Sequence, residues 1–178
     1  TNLIGLWGYS VVGKDTADKE SGSEVSQPLQ ILVPFCPEAP LSGVGRQLEP
    51  DQALWYRRDL PAKPEVGKRA LLHFGAVDYD ATVFVNGKEV GRHVGGHTPF
   101  SFDITGALVE SGNVLTVKVL DATEGYQLHG KQVLRPRAIW CSRVSGIWQT
   151  VWLEQVPERS IRDLDFETVV TVPEKEGG

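Results

Sequence analysis

The chain contains no methionine, only two cysteines and no apolar run long enough to cross a bilayer. No signal peptide is visible, so Thr1 is expected to mark the edge of a mature protein or of a piece cut from a longer one. These features do not determine the cellular compartment. Cys36 and Cys141 can form a disulfide only if their Cα atoms come within about 7 Å. Two separate, partly buried thiols are the favoured interpretation, and a disulfide is the alternative.

Charge and length narrow the class of protein. The net charge is −5, with 23% charged and 40% hydrophobic residues, as in ordinary globular proteins. This acidic balance gives no reason to expect nucleic acid or an anionic membrane as a partner. With 178 residues, the chain can bury one full core and still hold the beginning of a second domain.

The pattern that is present is one of short strands rich in Val, Ile, Leu and aromatic residues, separated by Gly, Pro, Asp or Asn. No segment shows a sustained 3.6-residue apolar period, apart from a short helical turn predicted near 106–110. A βαβ fold therefore lacks its helices, and the sequence predicts an all-β sandwich or jelly roll. The predicted strands are 6–12, 31–35, 54–60, 69–77, 82–90, 100–104, 114–120 and 147–154.

Asn86-Gly87 is the strongest local signal. A two-residue type I′ turn needs positive φ at both central residues, which Asn and Gly tolerate best, so a hairpin is predicted there.

Two other segments differ from the strand pattern of the rest of the chain. Residues 14–27 are polar and predict an exposed, mobile loop. Residues 161–170 alternate again and could form the last strand of this domain or the first of the next, so we expect one domain at 1–156 and a linker with a candidate strand at 157–178.

The two histidines His93 and His97 have a spacing that would place two metal ligands on one face of a helix. The glycines around them exclude a helix, and on an extended chain the two lie about 13 Å apart, too far to share an ion. We therefore expect no metal and no cofactor. No serine lies in a G-x-S-x-G turn and neither cysteine lies in a catalytic motif, so nucleophilic catalysis is not indicated.

Acidic residues offer two candidates. Asp78 and Asp80 would share one side of an extended strand, and glycoside hydrolysis needs two carboxylates about 5–9.5 Å apart. The favoured interpretation is a strand edge or turn whose carboxylates accept backbone N–H groups or meet solvent. Glu38, flanked by prolines in "PFCPEAP", is predicted on a rigid, outward loop as a hydrogen-bond acceptor for a ligand, without a catalytic role.

Five tryptophans are a high number for this length. Trp148 and Trp152 share a face of the predicted strand 147–154, whose two faces are both apolar, and are expected mostly in the core.

Trp140 is different because it follows the basic loop "KQVLRPRA". Its indole could stack on the C–H face of a sugar ring, with Tyr126, His129 and Gln132 binding hydroxyls. The alternative is that Trp140 only packs the loop onto the sandwich.

Six motifs in order carry a family resemblance. They are "LIGLWGYS" (3–10), "VPFCPEAPLSGVGR" (33–46), "ALWYRRDL" (53–60), "VFVNGKEVGRHVGGHTPFSFDIT" (83–105), "NVLTVKV" (113–119) and "SGIWQTVWLE" (145–154). Together they resemble the N-terminal sugar-binding domain of glycoside hydrolase family 2, the family of β-galactosidases, β-glucuronidases and β-mannosidases. The resemblance implies a galactose-binding-like jelly roll of about eight or nine antiparallel strands, followed by an immunoglobulin-like domain and a TIM barrel.

In that family two glutamates on the barrel perform a retaining hydrolysis, and loops of the first domain reach the barrel mouth. The resemblance therefore implies a non-catalytic chain that binds an oligo- or polysaccharide through loops 34–46 and 126–143, with a secreted or periplasmic bacterial location favoured over a cytoplasmic one. Relatives often carry an aspartate before the "SGI" motif, where this chain has Arg135, Arg137 and Arg143. These arginines favour an acidic sugar or a phosphate, or else a contact with the barrel. An autonomous carbohydrate-binding module and a purely structural domain are the alternatives.

Overall fold

A computed structural model describes residues 1–17 and 29–170 of the chain. Most strands belong to two antiparallel sheets that face each other. The larger sheet has the strand order β2 (Leu29–Val33), β1 (Gly5–Gly13), β3 (Gln52–Leu60), β9 (Asn113–Leu120), β6 (Asp80–Val85), β7 (Lys88–Val94). The smaller sheet has the order β13 (Val151–Pro157), β4 (Lys68–Phe74), β8 (Phe100–Asp103).

Shorter elements complete the described part of the chain. Strand β5 (Val77–Asp78) pairs antiparallel with β12 (Gly146–Ile147), and β10 (Gln132–Val133) pairs parallel with β11 (Cys141–Ser142). A four-residue helix α1 (Lys14–Ala17) and two 3₁₀ turns, Pro40–Ser42 and Thr105–Ala107, are the helical elements there. No helix in the described residues has the length and apolar character needed to cross a bilayer. The six- and three-stranded sheets confirm the predicted sandwich.

Alternating side chains build the core between the sheets. On β4 the side chains of Ala70, Leu72 and Phe74 are fully buried, and on β9 the same holds for Leu115, Val117 and Val119. Burial of each large aliphatic or aromatic side chain contributes about 1.5–3 kcal/mol, so this alternation stabilises the sandwich. Both strands thus bury every second side chain, as expected of strands with one face on the core.

The predicted hairpin turn at residues 86 and 87 is present. Asn86 and Gly87 have φ values of 53° and 77°, and they join β6 to β7. The predicted strand 82–90 is therefore a hairpin of two strands. Next to it, the buried amide of Asn113 bonds to Asn86, to both backbone polar groups of Val109 and to the carbonyl of Pro61.

Two predicted strands are interrupted. The predicted strand 69–77 is broken at Gly75, where an added Cβ would lie 2.7 Å from Cβ of Gln149. The predicted strand 147–154 is broken at residues 148–150, the segment that packs against Gly75. This break corrects the expectation for the two tryptophans. Trp148 donates Nε1–H to the carbonyl of Gly96 at 2.8 Å, and Trp152 is 36% exposed and stacked on His73.

The structure can be compared with the predictions for loop 14–27 and for the candidate strand 161–170. Within the predicted loop 14–27, residues 14–17 form α1, and the rest of the loop lies outside the described residues. Residues 158–170 form no helix or strand, so the predicted strand at 161–170 is not present there. In the described residues, the last strand pairing along the chain is that of Pro157 in β13 with Lys68.

Candidate functional site

Ser145 lies just after loop 126–143 and bonds to loop 34–46, the other loop that the sequence singled out. Its backbone N–H donates to Oε2 of Glu38 at 3.1 Å, and its hydroxyl donates to Oδ2 of Asp121 at 2.8 Å. Ser145 is 0% exposed and Asp121 is 2% exposed. Loop 34–46 and the segment 121–145, which contains loop 126–143, are therefore held together by one buried and one partly buried hydrogen bond to a carboxylate.

Asp121 is the acceptor around which the second loop begins. It also accepts hydrogen bonds from the backbone N–H of Thr123 at 3.0 Å and from the side-chain amide of Gln127. Gln127 in turn accepts from the N–H of Ala122 at 3.1 Å. These bonds satisfy a buried carboxylate and fix the chain as it leaves β9.

Glu38 departs from its prediction. Its carboxylate is turned inward and accepts from Ser145, so it does not project from an outward loop. Burial is the main cause that raises the pKa of the Glu38 carboxyl above its usual range. The physical reason for the inward orientation is that the buried N–H of Ser145 needs an acceptor.

Gln132 is held at both ends of its side chain. Its Nε2 donates to Oδ2 of Asp78 at 3.1 Å, and its Oε1 accepts from the N–H of Val144. The neighbouring His129 donates Nδ1–H to the carbonyl of Gln132 at 2.8 Å, because a carbonyl oxygen can only accept. Gln132 thus positions the loop, and the Nε2 atom of His129 is the nitrogen left to contact a ligand.

Asp78 and Asp80 have different partners. Asp80 forms a two-bond pair with the guanidinium of Arg92 on the next strand. Asp78 is 2% exposed, and its Oδ1 has no hydrogen-bond partner in the described part of the chain. Desolvation raises the pKa of Asp78 to about 6. The favoured expectation of an exposed or backbone-bonded strand edge is wrong for Asp78, because this carboxylate is buried against Gln132.

Trp140 lines an open pocket of about 650 Å³. Its neighbours in the pocket wall are Val133, Arg135, Pro136 and Arg137. The indole is 42% exposed, so part of its face is free to contact a ligand.

Tyr126 and His129 do not line this pocket. Tyr126 is fully exposed, whereas His129 is half-buried beside Gln132. Of the five predicted site residues, the structure thus places Trp140 in the pocket wall. Glu38, His129 and Gln132 belong to the hydrogen-bonded support of the loops, and Tyr126 stands apart from both.

The three arginines of loop 126–143 differ in exposure. Arg135 and Arg137 are exposed in the pocket wall, whereas Arg143 is 2% exposed and has a guanidinium nitrogen 4.0 Å from a carboxylate oxygen of Glu49. Arg143 is therefore unable to contact a sugar or a partner domain directly, which corrects the expectation for this residue.

The histidines His93 and His97 have structural contacts. His93 stacks on Phe100 with a centroid distance of 4.2 Å, and its Nε2 lies 3.1 Å from the hydroxyl of Thr98. His97 meets the ring of Trp148 edge-on at 5.7 Å. Across residues 1–17 and 29–170, no group of three or more His, Cys, Asp or Glu side chains could hold a metal ion.

Both cysteines are free thiols, which agrees with the favoured interpretation. Cys36 is half-buried and Cys141 is exposed, so only Cys36 has the expected partial burial.

Comparison with known proteins identifies the family. The profile described as "Glycosyl hydrolases family 2, sugar binding domain" matches residues 45–157. The chain belongs to this family. It is 34% identical over 116 residues to a β-galactosidase of Thermoanaerobacter pseudethanolicus, a match that covers 63% of this chain and 15% of that protein. It is 28% identical over 115 residues to a putative β-glucuronidase of Formosa agariphila, covering 64% of this chain and 13% of that protein.

The solved structure of a β-glucuronidase from an uncultured Clostridium superimposes with a TM-score of 0.67 at 23% identity, covering 89% of this chain and 29% of that one. At this identity the likeness shows the fold of the sugar-binding domain. The chain spans less than one sixth of the length of the two curated relatives, at 15% and 13%.

Proposed function

We propose that the chain is the non-catalytic, carbohydrate-binding accessory domain of a family 2 glycoside hydrolase. In this proposal, loops 34–46 and 126–143 form part of the substrate pocket of a catalytic barrel encoded beyond residue 178. A retaining hydrolysis would be performed by two glutamates of that barrel. The partners are an oligo- or polysaccharide and the downstream immunoglobulin-like and barrel domains.

The observation that carries the proposal is that Ser145 bonds to loop 34–46 directly after the loop that carries an exposed aromatic pocket. The bond from Ser145 to Asp121 is buried and the bond to Glu38 is partly buried, whereas Trp140, five positions before Ser145, is 42% exposed. A hydrogen-bonded loop with an exposed indole suits a surface that completes a binding site, because preorganised contacts lose little entropy on binding. A loop that merely covered the core would bury its tryptophan.

The test is to compare the chain 1–178 with the longer product of the same gene, using a panel of aryl β-glycosides. The proposal predicts hydrolysis by the longer product and none by 1–178. Turnover by purified 1–178 that survives repurification, or a longer product without any glycosidase activity, would contradict the proposal.

A second candidate function is an autonomous carbohydrate-binding module, which the exposed indole and the open pocket favour. Titration of 1–178 with soluble polysaccharides separates the two. Saturable binding below about 100 μM that is lost in Trp140→Ala supports a module, since that affinity is enough for independent capture. The accessory role predicts much weaker binding by 1–178 alone, because the barrel supplies the remaining contacts.

A further inference from the structure

The stretch 126–145 is basic, and two of its arginines line the pocket. Residues 126–145 contain Lys131, Arg135, Arg137 and Arg143 and no acidic residue, although the whole chain has a net charge of −5. Arg143 is buried and faces Glu49. The exposed arginines of this stretch are therefore the two that line the pocket.

Both guanidinium groups are available to a ligand. Arg135 and Arg137 are exposed, and no carboxylate of residues 1–17 or 29–170 lies within ion-pair distance of either one. Three arginines elsewhere on the surface, Arg57, Arg69 and Arg92, are each paired with an aspartate. Pro136 stands between the two arginines and restricts the backbone there.

The pocket combines two kinds of recognition. An indole face offers an apolar platform for the C–H face of a sugar ring, and a planar guanidinium matches a carboxylate or sulfate through two parallel hydrogen bonds. A volume of about 650 Å³ lies in the range of small-molecule sites. A neutral sugar could stack on the indole of Trp140, but it would give the guanidinium groups of Arg135 and Arg137 no anion to bind.

We propose that this pocket binds a saccharide unit that carries a carboxylate or a sulfate group, with Trp140 under the ring and Arg135 and Arg137 on the anion. This inference rests on the proposed function and names its ligand class. The carboxylate and the sulfate share one chemistry, a compact anion on a pyranose ring.

The test uses the indole N–H signals of 1–178 in ¹H–¹⁵N spectra, with Trp140→Phe to assign the signal of Trp140. The ligands are methyl glucuronide, glucose 6-sulfate, methyl glucoside, and acetate and sulfate as free ions. The proposal predicts that the Trp140 signal shifts with the glucuronide, the sugar sulfate or both, and which of them shifts it identifies the anion. Methyl glucoside and the free ions are expected to give weaker responses by about tenfold or more.

The double variant Arg135→Gln/Arg137→Gln is expected to lose this preference, whereas the matched variant Arg57→Gln, which removes a surface arginine paired with Asp59, keeps it. Added salt should weaken binding of the charged sugars, because the guanidinium groups are exposed. Equal shifts with methyl glucoside, equal shifts with the free ions, no shift with any ligand, or an unchanged preference in the double variant would each overturn the inference. None of these results removes the proposed function, which is tested separately by the glycosidase activity of the longer product and of 1–178.

Discussion

The substitution Ser145→Ala is expected to destabilise the fold by removing one buried hydrogen bond. The Ser145 hydroxyl donates to Oδ2 of Asp121 at 2.8 Å, and the two residues are 0% and 2% exposed. A hydrogen bond to a charged group contributes about 1.5–3 kcal/mol to stability, and the carboxylate left behind has no access to water. The change is expected to lower the free energy of unfolding by about that amount.

Differential scanning calorimetry can measure this loss. For a chain of this size about 1 kcal/mol corresponds to about 2–4 °C, so the expected fall in Tm is about 3–12 °C. The control is Ser111→Ala, which removes the hydroxyl of an exposed serine and should leave Tm unchanged. A Tm for Ser145→Ala within about 1 °C of the wild type would refute the reasoning, because it would mean that this bond adds nothing.

The same substitution should loosen the loop that carries Trp140. Hydrogen exchange of residues 126–142 is expected to speed up in Ser145→Ala under conditions where the sandwich remains folded, since local opening no longer breaks the bond to Asp121. Unchanged exchange in this segment together with a lowered Tm would show that Ser145 stabilises the core without positioning the loop.

Three further predictions concern single buried groups. Gly146→Ala should abolish folding or lower Tm strongly, because Gly146 has a φ of 74° and an added Cβ would lie 2.0 Å from Oη of Tyr56; a soluble variant with wild-type Tm in calorimetry would contradict this. Asp78 has a raised folded-state pKa of about 6, so its contribution to stability is present below its unfolded pKa near 4 and is lost as the pH rises to 6. Asp78→Asn removes this titration, so urea unfolding should show the variant gaining on the wild type between pH 4 and 6 and no further above pH 6, whereas a pH-independent difference would contradict the raised pKa. Asn113→Ala should cost about 2 kcal/mol or more, because it leaves the N–H of Val109 and the C=O of Pro61 without the side chain that bonds to them, and an unfolding midpoint in urea equal to that of the wild type would contradict this.

The local features of the fold could be predicted because they depend on neighbouring residues. The turn at Asn86-Gly87 needs positive φ at two adjacent positions, and the sequence shows which residues tolerate it. The buried faces of β4 and β9 follow from a period of two. The breaks near Gly75 and Gln149 could not be predicted, since they arise where two distant segments pass each other.

The support of the candidate site could not be predicted for a related reason. Glu38 and Ser145 are 107 positions apart, and Asp78 and Gln132 are 54 apart, so no local pattern links them. Residue type also misled at Arg143, because an arginine is ordinarily exposed and this one is buried. The sequence leaves an exposed and a packed Trp140 as alternatives, because an aromatic side chain in a basic, proline-containing loop has no local reason to be buried; the structure shows the exposed one, at 42%.

The most direct test of the central claim, that this domain contacts the saccharide of a family 2 enzyme, is the kinetics of Trp140→Ala in the longer product of the gene. Trp152→Ala is the matched control, because Trp152 has a similar exposure, 36% against 42%, and stacks on His73 away from the pocket. The account predicts that Trp140→Ala lowers kcat/KM by about threefold to tenfold, mainly through a higher KM, while Trp152→Ala leaves it unchanged. Equal kinetic constants for the wild type and both variants would contradict the claim and leave the domain as a scaffold.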